Sequence, residues 1–189
     1  MHTIEPFYRW ENFYRSEEDE QSVFFDSEKT ITHYENTIYG YYIHPMWEFF
    51  GSETLYLRVL YVHYEKGYAV LEFIGEWNDT LHNDIALLKR NVIDHFLRKG
   101  IDKFILIAEN VLNFHGSDDC YYEEWFQEVE QGWIAGVNFQ EHVTEEMAAY
   151  NVDWYINFKG DLDIQNWRTL KPLLFCERID SLISRRLTC

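Results

Sequence analysis

The sequence predicts an α/β fold: a mixed sheet in which an antiparallel hairpin precedes parallel strands and crossover helices, in an open two- or three-layer architecture. Three observations point there. Residues 55–64 and 68–75 are rich in β-formers and flank Glu65-Lys66-Gly67, the pattern of a hairpin. Leu81, Ile85, Leu88, Val92 and Phe96 recur at helical spacing. The apolar runs 104–108 and 133–137 then alternate with further helical patterns, and uninterrupted runs of this length suit strands covered on both faces.

The elements follow in order. Phe7, Trp10, Phe13 and Tyr14 after Pro6 predict a short amphipathic helix, and Glu17-Glu18-Asp19-Glu20 a solvated break. Extended segments are expected at 22–26 and 30–43, with a turn at Glu35-Asn36. The aromatics Tyr39, Tyr41, Tyr42, Trp47, Phe49 and Phe50 are expected mainly in core, the usual place of such rings. Asp79-Thr80 caps the long helix and Lys99-Gly100 closes it, a cation and a left-handed glycine at the negative end. Tyr122, Trp125, Phe126 and Val129 mark a second helix before Gly132, and Thr144 caps a third that ends near Tyr150-Asn151. Alternation of Val152, Trp154, Ile156 and Phe158 with polar residues predicts an edge strand. Pro172 opens a last helix carrying Leu173, Leu174, Ile179, Leu182 and Ile183, with Arg185 and Arg186 at its end. The domain reading is an aromatic-rich extension, 1–53, packed on a single α/β domain, 54–189.

Charge narrows the function classes. The formal net charge is -17, and nucleic acids and anionic membranes are bound through clustered Lys and Arg, so direct binding to either is not expected. Residues 104–158 hold eleven Asp or Glu and no Lys or Arg. Such a block is a solvated face or a surface that steers a basic partner. No long apolar stretch or leader-like start is present, and the three cysteines, Cys120, Cys176 and Cys189, form no Cys-x-x-Cys pair. A reducing, cytoplasmic setting is the expectation, with no cofactor; self-association is left open.

Ligands of such sheets meet the loops at the carboxyl ends of the parallel strands. That rim gathers Glu76, Asn78 and Asp79, then Glu109 with His115, Ser117, Asp118, Asp119 and Cys120, then Gln140, Glu141 and His142. His115, Asp118, Asp119 and His142 are the alternative metal set, although Asp79, Ser117 and Asp118 also read as helix caps. Cys120 sits in the first turn of a helix, which favours a thiolate, while Asp118 and Asp119 oppose one. No phosphate loop, nucleophile elbow or glycosidase pair is recognisable, so no catalytic residue is assigned. The overlong connection 109–117 reads as a packed loop presenting His115-Gly116-Ser117 ahead of the acidic helix.

Residues 68–151 resemble the STAS family, the domain of anti-sigma-factor antagonists. Phe73-Ile74-Gly75-Glu76 is similar to the strand ending in Gly-Glu-Leu before that family's first helix. Ile105-Leu106-Ile107-Ala108-Glu109-Asn110-Val111 is similar to the strand leading to its Asp-Ser-Ser-Gly switch, where this chain has His115-Gly116-Ser117-Asp118. The resemblance implies regulated protein binding without catalysis; the family's phosphorylated serine falls on Gly116 or, shifted by one, on Ser117.

The function expected is therefore a non-enzymatic regulatory module that binds a protein partner through Phe114, His115, Gly116, Ser117, Asp118, Asp119 and Glu123, with Ser117 as a phosphorylation candidate. The alternatives are an enzyme or small-ligand binder using the 109–120 loop, and an acidic decoy that occupies a nucleic-acid-binding protein.

Overall fold

The computed structural model describes residues 3–27, 37–38 and 40–187. Its strands are β1 (Thr3–Ile4), β2 (Thr37–Ile38), β3 (Tyr41–Ile43), β4 (Leu55–His63), β5 (Tyr68–Asn78), β6 (Lys103–His115) and β7 (Trp133–Val137). Its helices are α1 (Asp84–Leu88), which runs through a π segment (Lys89–Ile93) into α2 (Asp94–Arg98), then α3 (Cys120–Glu128), α4 (Glu141–Ala149) and α5 (Pro172–Leu187).

The main sheet has the order β4-β5-β6-β7, antiparallel between β4 and β5 and parallel from β5 to β7; β1, β3 and β2 form a small second sheet. The hairpin turn is a short 3-10 segment closed by Gly67 in the left-handed region, a conformation glycine adopts without steric cost. Side chains alternate across the sheet. Leu71, Phe73, Phe104, Leu106 and Ile134 pack with Ile85, Leu88, Phe96, Tyr122, Trp125, Val143 and Met147 of α1–α4. Val70, Ile105, Ile107, Ala135 and Val137 pack with Phe175, Ile179 and Ile183 of α5, and with Trp10, Leu162, Ile164 and Trp167. The result is three layers, with the crossover helices all on one face. Among the described residues no helix is long and apolar enough to cross a membrane.

The mixed sheet, hairpin and four apolar-striped helical regions are those the periodicity predicts. Several local expectations are corrected. Residues 9–13 form successive turns, with Phe13 N–H and Tyr14 N–H both donating to the Trp10 carbonyl, because Phe7 and Trp10 meet Trp167 edge-on and Trp10 also lies tilted against Phe175. Residues 22–26 are turns too; the turn expected at Glu35-Asn36 and the ring of Tyr39 lie outside the described residues. Trp47 and Phe50 are buried, whereas Tyr41 and Phe49 are exposed.

The long helix starts at Asp84, so Leu81 stands in solvent; Asp79 still accepts the Ile85 N–H from outside the helix. Thr144 lies inside α4, its hydroxyl donating to the Glu141 carbonyl, and Gln140 takes the cap position. The segment expected as the edge strand 152–158 is instead a 3-10 turn at Val152–Trp154 with a single bridge from Asn157 to Ala135. Val152 and Ile156, four apart, are the buried pair, and the alternation that suggested a strand put Trp154 on the wrong side.

The largest correction concerns 109–117. These residues are not a loop: β6 continues to His115, paired with β5 out to Asn78 across two register shifts. One shift is at Gly75, whose φ of +120° brings its Cα against the Thr54 carbonyl; a Cβ there would lie 2.1 Å from that oxygen.

Candidate docking face and an adjoining polar cavity

The carboxyl end of β6 turns into α3 at His115–Asp119, and this junction is tied down by backbone groups. The His115 carbonyl accepts the Asp79 and Thr80 N–H groups, and the Gly116 carbonyl accepts the Thr80 hydroxyl at 2.6 Å. Gly116 is buried beneath Tyr150, where a Cβ would meet the ring at 2.3 Å, so only glycine fits under that ring. Phe114, expected at the docking tip, is instead 1% exposed and meets Tyr150 edge-on. It supports the face from beneath.

The remaining residues of the expected site surround this junction. His115 is exposed, with Nε2 3.2 Å from the Glu76 carboxylate. Ser117 is half-buried, Asp118 is exposed and accepts the Cys120 N–H, and Glu123 is exposed and accepts from the Gln127 amide. Asp119 accepts the Tyr155 hydroxyl at 3.1 Å, which joins α3 to the turn after α4. The helix cap is Asp119, with no side-chain cap hydrogen bond. Hydrogen bonding to Asp118 holds the Cys120 thiol above its usual range, so the carboxylate wins over the helix terminus and this cysteine is a thiol rather than a thiolate.

The alternative metal set does not converge. His142 contacts the Leu112 carbonyl at 2.8 Å while His115, Asp118 and Asp119 engage Glu76, Cys120 and Tyr155. No group of three or more His, Cys, Asp or Glu side chains among the described residues is placed to hold a metal ion.

The structure adds what the sequence reading missed. Phe126, Tyr150 and Trp154 are 44, 39 and 71% exposed, and Phe126 and Tyr155 have ring centroids 6.0 Å apart. Burial, then the hydrogen bond to Asp119 and the charges of Asp119 and Glu123, raise the Tyr155 hydroxyl pKa, and the Asp119 bond sets one carboxylate beside this ring pair. Phe126 reads in the sequence as part of the Tyr122, Trp125, Val129 stripe, four residues from Tyr122 and three from Val129, and the structure leaves it on the exposed edge of that stripe.

A second feature lies at the ends of β6 and β7. Glu109, assigned to the rim, is fully engaged: Oε1 accepts from the Trp167 indole and the Asn138 amide, both at 2.6 Å, and Oε2 receives Arg168 at 2.6 Å. Arg168 also stacks on Trp167 at 4.6 Å and lies 3.8 Å from Glu72, a buried carboxyl that accepts the Phe7 N–H. Burial raises Glu72 to about 7 despite that hydrogen bond and cation. In front of Glu109 and Arg168 opens a cavity of about 630 Å³, lined further by Asn138, Gln140, Glu141, Thr144, Lys159, Asp163 and Gln165.

No family model matches this chain, and no curated protein matches it. The NMR structure of the protein TM1081 aligns with 70% of this chain and 89% of its own, at 18% identity and a TM-score of 0.39. An alignment at that level bears on neither family nor function.

Proposed function

We propose that the protein is a non-enzymatic regulatory module whose acidic, aromatic-bearing face docks on a basic protein partner. One observation carries the reading: three exposed aromatic side chains, Phe126, Tyr150 and Trp154, belong to a stretch of sequence with eleven carboxylates and no Lys or Arg, of which Glu109, Glu124 and Glu128 are engaged by cations from elsewhere in the chain. Large rings in water are anchors for a partner, and a ring of like charge selects the partner's sign and speeds encounter. His115, Ser117, Asp118, Asp119 and Glu123 form the polar rim of that face. Regulated binding is also what the STAS resemblance implies, with Ser117 at the rim as the residue to modify.

The test places a photo-crosslinking amino acid at Trp154 and, as a control, at exposed Leu174 on α5. A discrete adduct with a basic protein is expected from the first site alone. Trp154→Ala then weakens the purified pair by about 30-fold, an anchor-sized loss, without changing stability. Charge neutralisation at Asp118, Asp119 and Glu123 slows association, mainly at low salt. A pair insensitive to Trp154→Ala but abolished by charge neutralisation would be an acidic decoy, and no adduct at all would end the docking reading.

A further inference from the structure

We propose that the cavity at the carboxyl ends of β6 and β7 is a binding site for a small zwitterion of the α-amino-acid class, in which Lys159 holds the carboxylate. The place is where ligands of open α/β sheets collect, beyond the ends of parallel strands. The walls decide the chemistry. Arg168 is committed to Glu109, so the further charges are the Lys159 ammonium and the Glu141 and Asp163 carboxylates. Around them stand the amides of Asn138, Gln140 and Gln165 and the Thr144 hydroxyl, with Phe139 the one apolar side chain. The lining is more polar than apolar, which favours a polar ligand. A dianion such as phosphate would face two carboxylates, whereas a zwitterion pairs its carboxylate with Lys159 and its ammonium with Glu141 or Asp163.

Lys159 itself is the telling residue. Its backbone lies at φ 66°, ψ 173°, a region populated almost solely by glycine. Arg186 fixes this geometry by donating to the Phe158 and Lys159 carbonyls. Glycine would relieve the strain at no cost in packing, yet the chain carries a cation there, on the wall of a cavity. Gln140, Glu141 and Thr144 of the same lining bring the N-terminal turn of α4, which adds the positive end of a helix dipole for the carboxylate. Asn138, also at positive φ, supplies an independent mark. Its Nδ2 is spent on two acceptors, Glu109 and the Ile164 carbonyl, which fixes the amide orientation. Its buried Oδ1 has no partner, an unsatisfied acceptor on a residue that lines the cavity.

The full chain, isotope-labelled, is titrated with pools of the standard amino acids and separately with inorganic phosphate and glycerol, and amide shifts are followed by NMR. At least one amino acid is expected to give saturable shifts at residues 138–144 and 159–168 by about 20 mM, with phosphate and glycerol inert. Lys159→Gly is expected to weaken that binding about tenfold or more while raising the melting temperature, since glycine fits the backbone. The proposal fails if no amino acid saturates those resonances, if phosphate binds more tightly, or if Lys159→Gly binds as the parent does. The rise in melting temperature separates a lost ligand contact from a lost fold.

Discussion

Replacing Arg58 by methionine is expected to lower the free energy of unfolding by about 3–5 kcal/mol, the cost of leaving a buried charge without its partner. Arg58 stands on β4 with its side chain 3% exposed, 3.0 Å from Glu48, 3.2 Å from Glu17 and 3.8 Å from Glu11. Glu48 is as deeply buried and also accepts the Ser16 hydroxyl and the Val59 N–H. Denaturant titration measures the loss. The double variant R58M/E48Q keeps an acceptor for Val59 N–H and removes the stranded charge, so it recovers at least half of the deficit. A loss below about 1 kcal/mol for the single variant would mean that the carboxylates are solvated in the folded state. The cluster joins residues 11–17 to the main sheet, so the same variant is also expected to speed proteolysis in the first twenty or so residues.

Acidification is expected to stabilise the protein, the reverse of the usual behaviour of carboxylates. Glu72 rises from 4.5 to about 7 on folding and Asp79 from 3.8 to about 6, in both cases chiefly through burial. A carboxyl raised on folding contributes stability that is complete below its unfolded pKa and is lost as pH climbs through its folded pKa. For Glu72 that loss amounts to about 2 kcal/mol between about pH 5 and pH 8. Asp79, which accepts from Trp77, Ile85 and Tyr122, adds to it with the same sign. The carboxyls held low by cations, Asp94 and Glu124, work in the opposite direction only below their unfolded values. Stability measured across this window is expected to fall as pH rises, and Glu72→Gln, whose amide oxygen still accepts the Phe7 N–H, is expected to flatten the slope. A Glu72→Gln profile as steep as the parent's would assign the effect to other groups.

Much of this fold was legible because burial follows period. The β4–β5 hairpin, the apolar runs of β6 and β7, and the stripes of α3 and α5 each bury the residues their spacing marks. What was not legible shares a physical cause, polar residues placed in regular structure by tertiary partners. Glu109, Asn110 and Asn113 read as loop, yet strand β6 carries them because Asn138, Trp167 and Arg168 satisfy Glu109 and β5 supplies the backbone pairing. The N-terminal aromatics failed for a related reason. Their spacing suits a helix, but their pockets lie on Trp167 and Phe175, more than 150 residues along the chain. At the proposed docking face, the acids and the tip were visible in the sequence, whereas Tyr150 and Trp154 required knowing that 152–158 is not a strand.

The strand order of the main sheet is also the order of synthesis, each strand pairing with the one made just before it. One half of the molecule can therefore assemble by short-range steps as the chain emerges, helices α1 to α4 closing over their side in turn. The other side cannot. Trp10 waits for Trp167, Phe175 and the Leu170 carbonyl, and the face holding Val70, Ile105 and Ile107 stays uncovered until α5 is made. During translation this face therefore stays open from the completion of β5 and β6 until α5 emerges, and a chaperone that shields apolar surfaces has its longest engagement in that interval.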